Sequence, residues 1–199
     1  MGENVTSVKT AYKLDGYRDP LWEELIDGKV VVMAVPRISH NRAVTNISML
    51  FAKYLTKQSA EFLPFGTGLY IADRERYIPD GMVVCDPDKV QDKGIVGAPD
   101  LVVEVLSRST SRYDRGHKMD VYEKFGVREY WIVSPSERSV EQYVLDGGRY
   151  YLVNAWQRIP IEHWTGKEEE QEPAPEEFPC FIFPDLIVKL DDVFGKATV

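Results

Sequence analysis

The chain is poor in cysteine, with two in 199 residues, Cys85 and Cys180. They lie far apart and show no metal-ligand spacing, which excludes a thiolate zinc site and a disulfide framework and leaves both as small buried apolar residues. No apolar run approaches the eighteen or so residues of a membrane span. The opening MGENVTSVKTAYKLDG carries no apolar signal stretch. The expectation is therefore a cytoplasmic protein with no membrane partner. Neither G-x-x-x-x-G-K-[ST] nor G-x-G-x-x-G occurs, so a nucleotide cofactor has no support, and the missing G-x-S-x-G elbow removes the usual serine hydrolase signature.

Positive charge is also in deficit. There are 24 Lys and Arg against 32 Asp and Glu, a net charge of −8. A nucleic-acid partner favours a basic surface, so this total argues weakly against one. The deficit is local, however. Lys167 to Glu177 (KEEEQEPAPEE) alone holds one Lys and six Glu, and without it the net charge is −3. Its two prolines and its charge mark a solvated insertion with no chemistry of its own. The organisation read from this is a single domain over 1–199 with an acidic loop at about 165–177. A hydrophobic content of 44% is enough for a sizeable core.

The local patterns predict an α/β chain. PLWEELID, ended by Gly28, reads as a short helix, and KVVVMAV after it as a strand. Ser39 could cap a helix from His40 to about Lys57, with Ala43, Val44, Ile47, Leu50, Phe51, Tyr54 and Leu55 on one buried face. Gly68–Ala72 and Tyr77–Cys85 read as strands, joined through the charged turn at 73–76. DLVVEVL, from Asp100 to Leu106, is nearly continuous in apolar residues, as a strand covered on both faces should be. A helix from about Asp114 to Phe125 should stop at Gly126, with Met119 and Phe125 toward the core. EYWIVS is a second buried strand. Asp146-Gly147-Gly148 then turns a hairpin between Ser139–Leu145 and Arg149–Ala155, and Phe178–Val193 makes an apolar return. This order predicts a mixed sheet flanked by helices.

Glu104 is the anomaly, a carboxylate in the middle of the most core-like strand. Burying it bare costs several kcal/mol or more, so it must be paired, protonated or bound to a cation. Asp80, in YIPDGMVV, could share that cation from a neighbouring strand; the plainer reading is a solvated turn residue beside Gly81. Asp100 is a rival on the same strand as Glu104. Four residues of extended chain span roughly 13 Å, however, and two ligands of one hard cation must each come within about 2.0–2.6 Å of it. Lys118 shares a helix face with Asp114 and Tyr122. It either pairs with Asp114 at the surface or reaches back to Glu104, where it could orient a water and stabilise charge on a phosphate. Glu24 and His40 read by themselves as surface residues. Arg108, Arg112 and Arg115 fit a nucleic-acid backbone as well as they fit an ordinary charged loop. No aromatic-plus-basic pattern for base readout is visible.

The runs PDLVVEVLSRST and GVREYWIVSP, with Asp114, Lys118 and Tyr122 between them, resemble the bacterial restriction-endonuclease-like family of the PD-(D/E)xK nuclease superfamily. ELIDGKVVVM, the histidine at the next helix, and IPDGMVV match as well, so the resemblance spans about Leu21 to Leu145. It implies a restriction-endonuclease-like mixed β-sheet flanked by helices, with extra C-terminal strands. It gives Asp80 the role of the motif aspartate and Glu104 that of the following acidic residue. Glu24 becomes a helix-borne glutamate completing the metal site. Beside that site, His40 could touch substrate, as could Arg108, Arg112 and Arg115 along a DNA backbone. The position two after Glu104 is Leu106 rather than lysine, so the lysine role passes to Lys118 on the next helix. The implied activity is Mg²⁺- or Mn²⁺-dependent cleavage of DNA. A non-catalytic nucleic-acid-binding or assembly module and a hydrolase of smaller phosphodiesters stand beside it as alternatives. Strand edges leave room for a homodimer.

Overall fold

A computed structural model of the chain describes residues 22–107, 110–157 and 176–195. Most of the acidic insertion, and Arg108, lie outside them. Two six-stranded sheets carry the fold. The central one has the order β12-β11-β10-β9-β6-β3, built from Arg149–Gln157, Ser139–Asp146, Glu129–Ser134, Leu101–Val105, Gly81–Val84 and Glu61–Pro64 respectively. The second has the order β2-β1-β5-β4-β8-β7, built from Lys29–Val32, Glu23–Ile26, Glu75–Tyr77, Leu69–Ala72, Gly94–Val96 and Val90–Gln91. A short ribbon pairs β13 (Glu177–Pro179) with β14 (Ile187–Lys189). The helices are α1 (Ile38–Leu55), α2 (Ser111–Asp114), α3 (His117–Phe125) and α4 (Leu190–Phe194). The chain is thus mixed α/β, as its patterns predict.

The period-2 alternation of the central strands sorts the core into two layers. Leu101, Val103 and Val105 of β9, with Trp131 and Val133 of β10, meet Ala43, Ile47 and Phe51 of α1, Phe178 of β13 and Val193 of α4. Val102 of β9, with Tyr130 and Ile132 of β10, faces the other way. These residues meet Val121 and Tyr122 of α3 and the inner side of the second sheet through Ile26, Leu69 and Tyr77. Each fully buried aliphatic side chain contributes about 1.5–3 kcal/mol. Glu104 shares the face of Val102, so its carboxylate points into the layer under α3. Parallel pairing of β9 with β10 sets Glu104 beside Ile132.

Four sequence expectations give way. Glu23–Ile26 is a strand, not a helix. Asp27 (φ 50°) and Gly28 (φ 74°) form a two-residue hairpin loop that pairs Ile26 with Lys29. An Asp-Gly between alternating apolar residues is a hairpin signal, and positive φ at both loop positions is what it supplies. Both carboxylate oxygens of Glu75 accept from Asp27 N–H, at 3.2 and 3.1 Å, and pin the turn. The helix expected over 114–125 is broken into α2 and α3 at Gly116, where a Cβ would lie 2.9 Å from Arg112 O. Phe125 is 39% exposed rather than in the core. The long helix α1 starts after Arg37 with no side-chain cap, so Ser39 does not serve as one. Gly126 does end α3, left-handed at φ 86°.

One carboxylate gathers five donors where the C-terminal return meets the central sheet. Glu129, fully buried at the start of β10, accepts through Oε1 from Trp131 Nε1 (2.7 Å), Gln142 Nε2 (2.8 Å) and Phe181 N (3.0 Å). Its Oε2 accepts from Ile182 N (2.9 Å) and from the Cys180 thiol (3.3 Å). Cys180 is buried, as expected, whereas Cys85 is only half-buried.

Candidate active site

Four elements deliver carboxylates to one end of the layer between the sheets. Glu24 comes from β1, whose alternation turns Glu24 and Ile26 inward. Asp80 immediately precedes β6, Glu104 lies in β9, and Asp114 ends α2. Lys118, in the first turn of α3, stands among three of them. Its Nζ lies 2.9 Å from Glu24 Oε1, 3.1 Å from Glu104 Oε1 and 3.6 Å from Asp114 Oδ1. All four of these residues are at most 4% exposed. Glu24 Oε1 also accepts from Ile78 N (2.9 Å), and Glu104 Oε1 from the Tyr122 hydroxyl (2.8 Å). The Tyr77 ring lies 5.4 Å from the ammonium.

Asp80 sits beside this knot. The β6–β9 ladder ends at Gly81↔Val103, and Asp80 extends it by accepting from Val105 N through Oδ2 at 2.7 Å. His40 Nε2 lies 3.2 Å from the same oxygen. A cleft of about 210 Å³ opens here, and Arg37, His40, Asp80, Glu104, Thr110 and Lys118 are among its walls.

The electrostatics follow from burial. Burial pushes the Glu104 carboxyl well above the usual range; the Lys118 ammonium opposes this, while Asp114, Asp80 and Glu24 add to it. Burial likewise raises Asp114 to about 6, against the pull of Lys118. Neither oxygen of Asp114 has a hydrogen-bond partner among the described residues. For Lys118 burial acts downward, but the carboxylates of Glu104, Glu24 and Asp114 outweigh it and hold the ammonium well above the ordinary lysine value. Burial also acts downward on His40, and the hydrogen bond and charge of Asp80 more than offset it. The region therefore carries four carboxylates against two permanent cations, Lys118 and Arg37, and one histidine.

Asp114 takes up its proton more readily folded than unfolded, so its ionisation opposes folding. That cost is absent below pH 3.8 and complete above about 6. Asp114→Asn should flatten the fall in stability across this window, read as chemical denaturation midpoints at pH 4 and pH 7; an unchanged pH profile would show that the carboxylate is better solvated than its burial implies.

Of the residues singled out in the sequence, the structure brings Glu24, His40, Asp80, Glu104 and Lys118 together. Glu24 arrives on a strand rather than a helix. The surface Asp114–Lys118 pair is a buried one spanning two helices. Asp100 faces elsewhere, accepting from Cys85 N at 2.8 Å. Arg115 pairs with Glu141 beside a neighbouring groove that also holds Arg37, Ser107 and Ser136. Arg112 is exposed, and Arg108 lies outside the described residues. Asp114, Tyr122 and Thr110 were not singled out for the site; the spacing of Asp114 and Tyr122, four residues to either side of Lys118, is the signal that places two of them.

Among the described residues no three His, Cys, Asp or Glu side chains converge as a ready-made cation cage. The donor set nevertheless suits a hard divalent ion. Asp80 and Glu104 line one cleft with carboxylate oxygens, in a region with excess negative charge, and Mg²⁺ is commonly held by one or two carboxylates with waters and substrate phosphate completing its shell.

Residues 12–178 match the model of the Uma2 family, described as "Putative restriction endonuclease". Two uncharacterized proteins of Synechocystis sp., sll1609 and slr1290, are each 31% identical over 134 residues. The match covers 65% of this chain and 76% of the first, and 66% of this chain and 70% of the second. A solved structure from Anabaena variabilis, described as a putative nuclease belonging to DUF820, superposes with a TM-score of 0.65. It is 17% identical over 87% of this chain and 89% of that one, a likeness of fold. The nuclease-like fold and the breadth of the family match agree with the resemblance read from the motifs, and the chain belongs to the Uma2 family of restriction-endonuclease-like proteins.

Proposed function

We propose that the protein is a metal-dependent endonuclease that hydrolyses DNA phosphodiester bonds at the Asp80–Glu104 cleft. One observation carries this reading. A buried lysine and an acidic pair open onto a single cleft, in a chain whose family and fold are nuclease-like. A divalent ion held by Asp80 and Glu104, Mg²⁺ or Mn²⁺, would polarise the scissile phosphate and acidify the attacking water. Lys118 stays protonated among its carboxylates, so it cannot act as a general base. Its role is a fixed positive charge at the cleft wall that stabilises charge developing on the phosphate oxygens. Glu24, whose Oε1 accepts from both Lys118 and Ile78 N, positions that ammonium. Tyr122 holds the Glu104 carboxylate in place, and the Val105 amide with His40 does the same for Asp80.

The test is nicking of supercoiled plasmid by the purified chain with Mg²⁺ or Mn²⁺. Activity should vanish in EDTA and fall on the order of 10³-fold in Glu104→Gln, which keeps an acceptor for Tyr122 but halves the ligand charge. Nicking that survives EDTA and the substitution would place the chemistry elsewhere. The non-catalytic binding reading draws support from the occupation of Glu24 and Glu104 by Lys118, and predicts DNA binding with no nicking under any metal.

A further inference from the structure

A second recess backs onto the acidic cleft. It has a volume of about 320 Å³ and is walled by Trp22, Glu23, Tyr70, Arg76, Ile78 and Lys93, with Gly66 and Gly68 in its lining. Three chain segments separate it from the site already described, and each serves both sides. On the first, Glu23 faces the recess while Glu24 reaches Lys118. On the second, Ile78 lines the recess while Asp80 lines the cleft. On the third, Gly66 belongs to the recess and Phe65 to the cleft, and the Phe65 ring packs on Trp22 with centroids 5.3 Å apart. The two cavities are thus lined by neighbouring residues of the same segments.

The chemistry of the recess differs from that of the rest of this acidic chain. It holds two cations and one carboxylate. Arg76 and Lys93 have no ion pair among the described residues, and Lys93 Nζ rests over the Tyr70 ring at 5.1 Å from its centroid. Trp22 leaves 42% of its surface to solvent. Flat aromatic faces beside unpaired cations are what single-stranded nucleic acid requires, since bases stack on the rings while cations track the phosphates. The glycines keep the floor low. Gly66 adopts φ 103°, and a Cβ on it would approach the Trp22 ring at 3.5 Å. No sequence window shows this pattern, because its aromatic and basic residues come from four separate strands and turns.

We propose that this recess is a subsite for an unpaired DNA nucleotide flanking the cut, its base on Trp22 or Tyr70 and its phosphate on Arg76 and Lys93. The proposal rests on the nuclease reading and narrows it: the substrate has a single-stranded or frayed segment beside the scissile bond.

The experiment uses the full chain carrying Glu104→Gln, in Mg²⁺, with two fluorescein-labelled oligonucleotides, a blunt hairpin duplex and the same hairpin with an unpaired extension. The extended probe should bind more tightly. Adding Trp22→Ala should weaken its binding by about 5- to 100-fold and leave the blunt hairpin nearly unaffected. Arg76→Ala with Lys93→Ala preserves the Trp22–Phe65 packing and guards against misfolding of the first variant. It should reduce the slope of log affinity against log salt by about 1.4, the value for two single-strand phosphates. Equal binding of the two probes, or losses that are the same for both, overturns the subsite. If the blunt hairpin binds and the parent chain nicks plasmid while these substitutions do nothing, the subsite alone fails. If neither probe binds and no nicking occurs, the nuclease reading fails with it.

Discussion

Lys118→Met should both silence the site and destabilise the fold, with a loss of about 3–5 kcal/mol, the cost of leaving buried charges without their partner. Glu24, Glu104 and Asp114 would then face one another in a space with no counter-charge, at the distances that now hold the ammonium. For a chain of this size the loss corresponds to a fall in Tm of about 6–20 °C. The deficit has a direction in pH. Burial already raises Glu104 and Asp114, and losing Lys118 removes the charge that lowers both, so their protonation as pH falls relieves the repulsion, and the variant should approach the parent in acid. It also has a direction in metal. An added divalent cation replaces the missing charge, so Mg²⁺ or Mn²⁺ should raise the Tm of Lys118→Met more than that of the parent. Plasmid nicking should fall on the order of 10²–10³-fold even with metal present, since the fixed donor to the phosphate is gone. Differential scanning fluorimetry across pH and metal reads the stability effects. A variant as stable as its parent at pH 8 would mean that the three carboxylates do not press on one another as their burial requires.

The central strands and the anomaly of Glu104 were legible in the sequence because both rest on local, strong signals. A continuous apolar run can be only a strand or helix covered on all sides, and a carboxylate inside it stands out against that background. Reach set Asp80 ahead of Asp100 as the candidate beside Glu104; Asp100 turns to the Cys85 amide, and Asp80 and Glu104 line one cleft. What was hidden is what long-range packing decides. Glu24 looked like a helix residue because Gly28 can end a helix as well as turn a hairpin; the Glu75 carboxylate on Asp27 N–H, 48 residues away, settles it as a turn. Asp114 and Lys118 looked like a surface pair because nothing local shows that α2 and α3 lie beneath the second sheet. The recess at Trp22 was invisible for the same reason.

Glu129→Gln tests the other large electrostatic commitment of the fold. The substitution is nearly isosteric, so packing is held constant and only hydrogen-bond polarity changes. The carboxylate now accepts five donors, three on Oε1 and two on Oε2. An amide offers one accepting oxygen, and its NH2 must face a group of donors whichever way it turns. Facing Oε2's partners is the cheaper choice, and it strands Ile182 N–H and the Cys180 thiol. An unsatisfied buried donor costs about 1–3 kcal/mol, and the charge assistance to the remaining three bonds is lost as well. The sum is about 3 kcal/mol, or a Tm lower by about 6–12 °C. The damage should be local before it is global. Amide exchange at Phe181 and Ile182 should accelerate, while Val103 in β9, paired on both sides, keeps its protection. Cys180→Ala removes only the thiol donor and should cost under about 1 kcal/mol beyond its small loss of volume. If Glu129→Gln matched its parent within about 0.5 kcal/mol, the five donors would not converge on one carboxylate, and the C-terminal ribbon would owe its place chiefly to apolar contacts such as those of Phe178 and Val188.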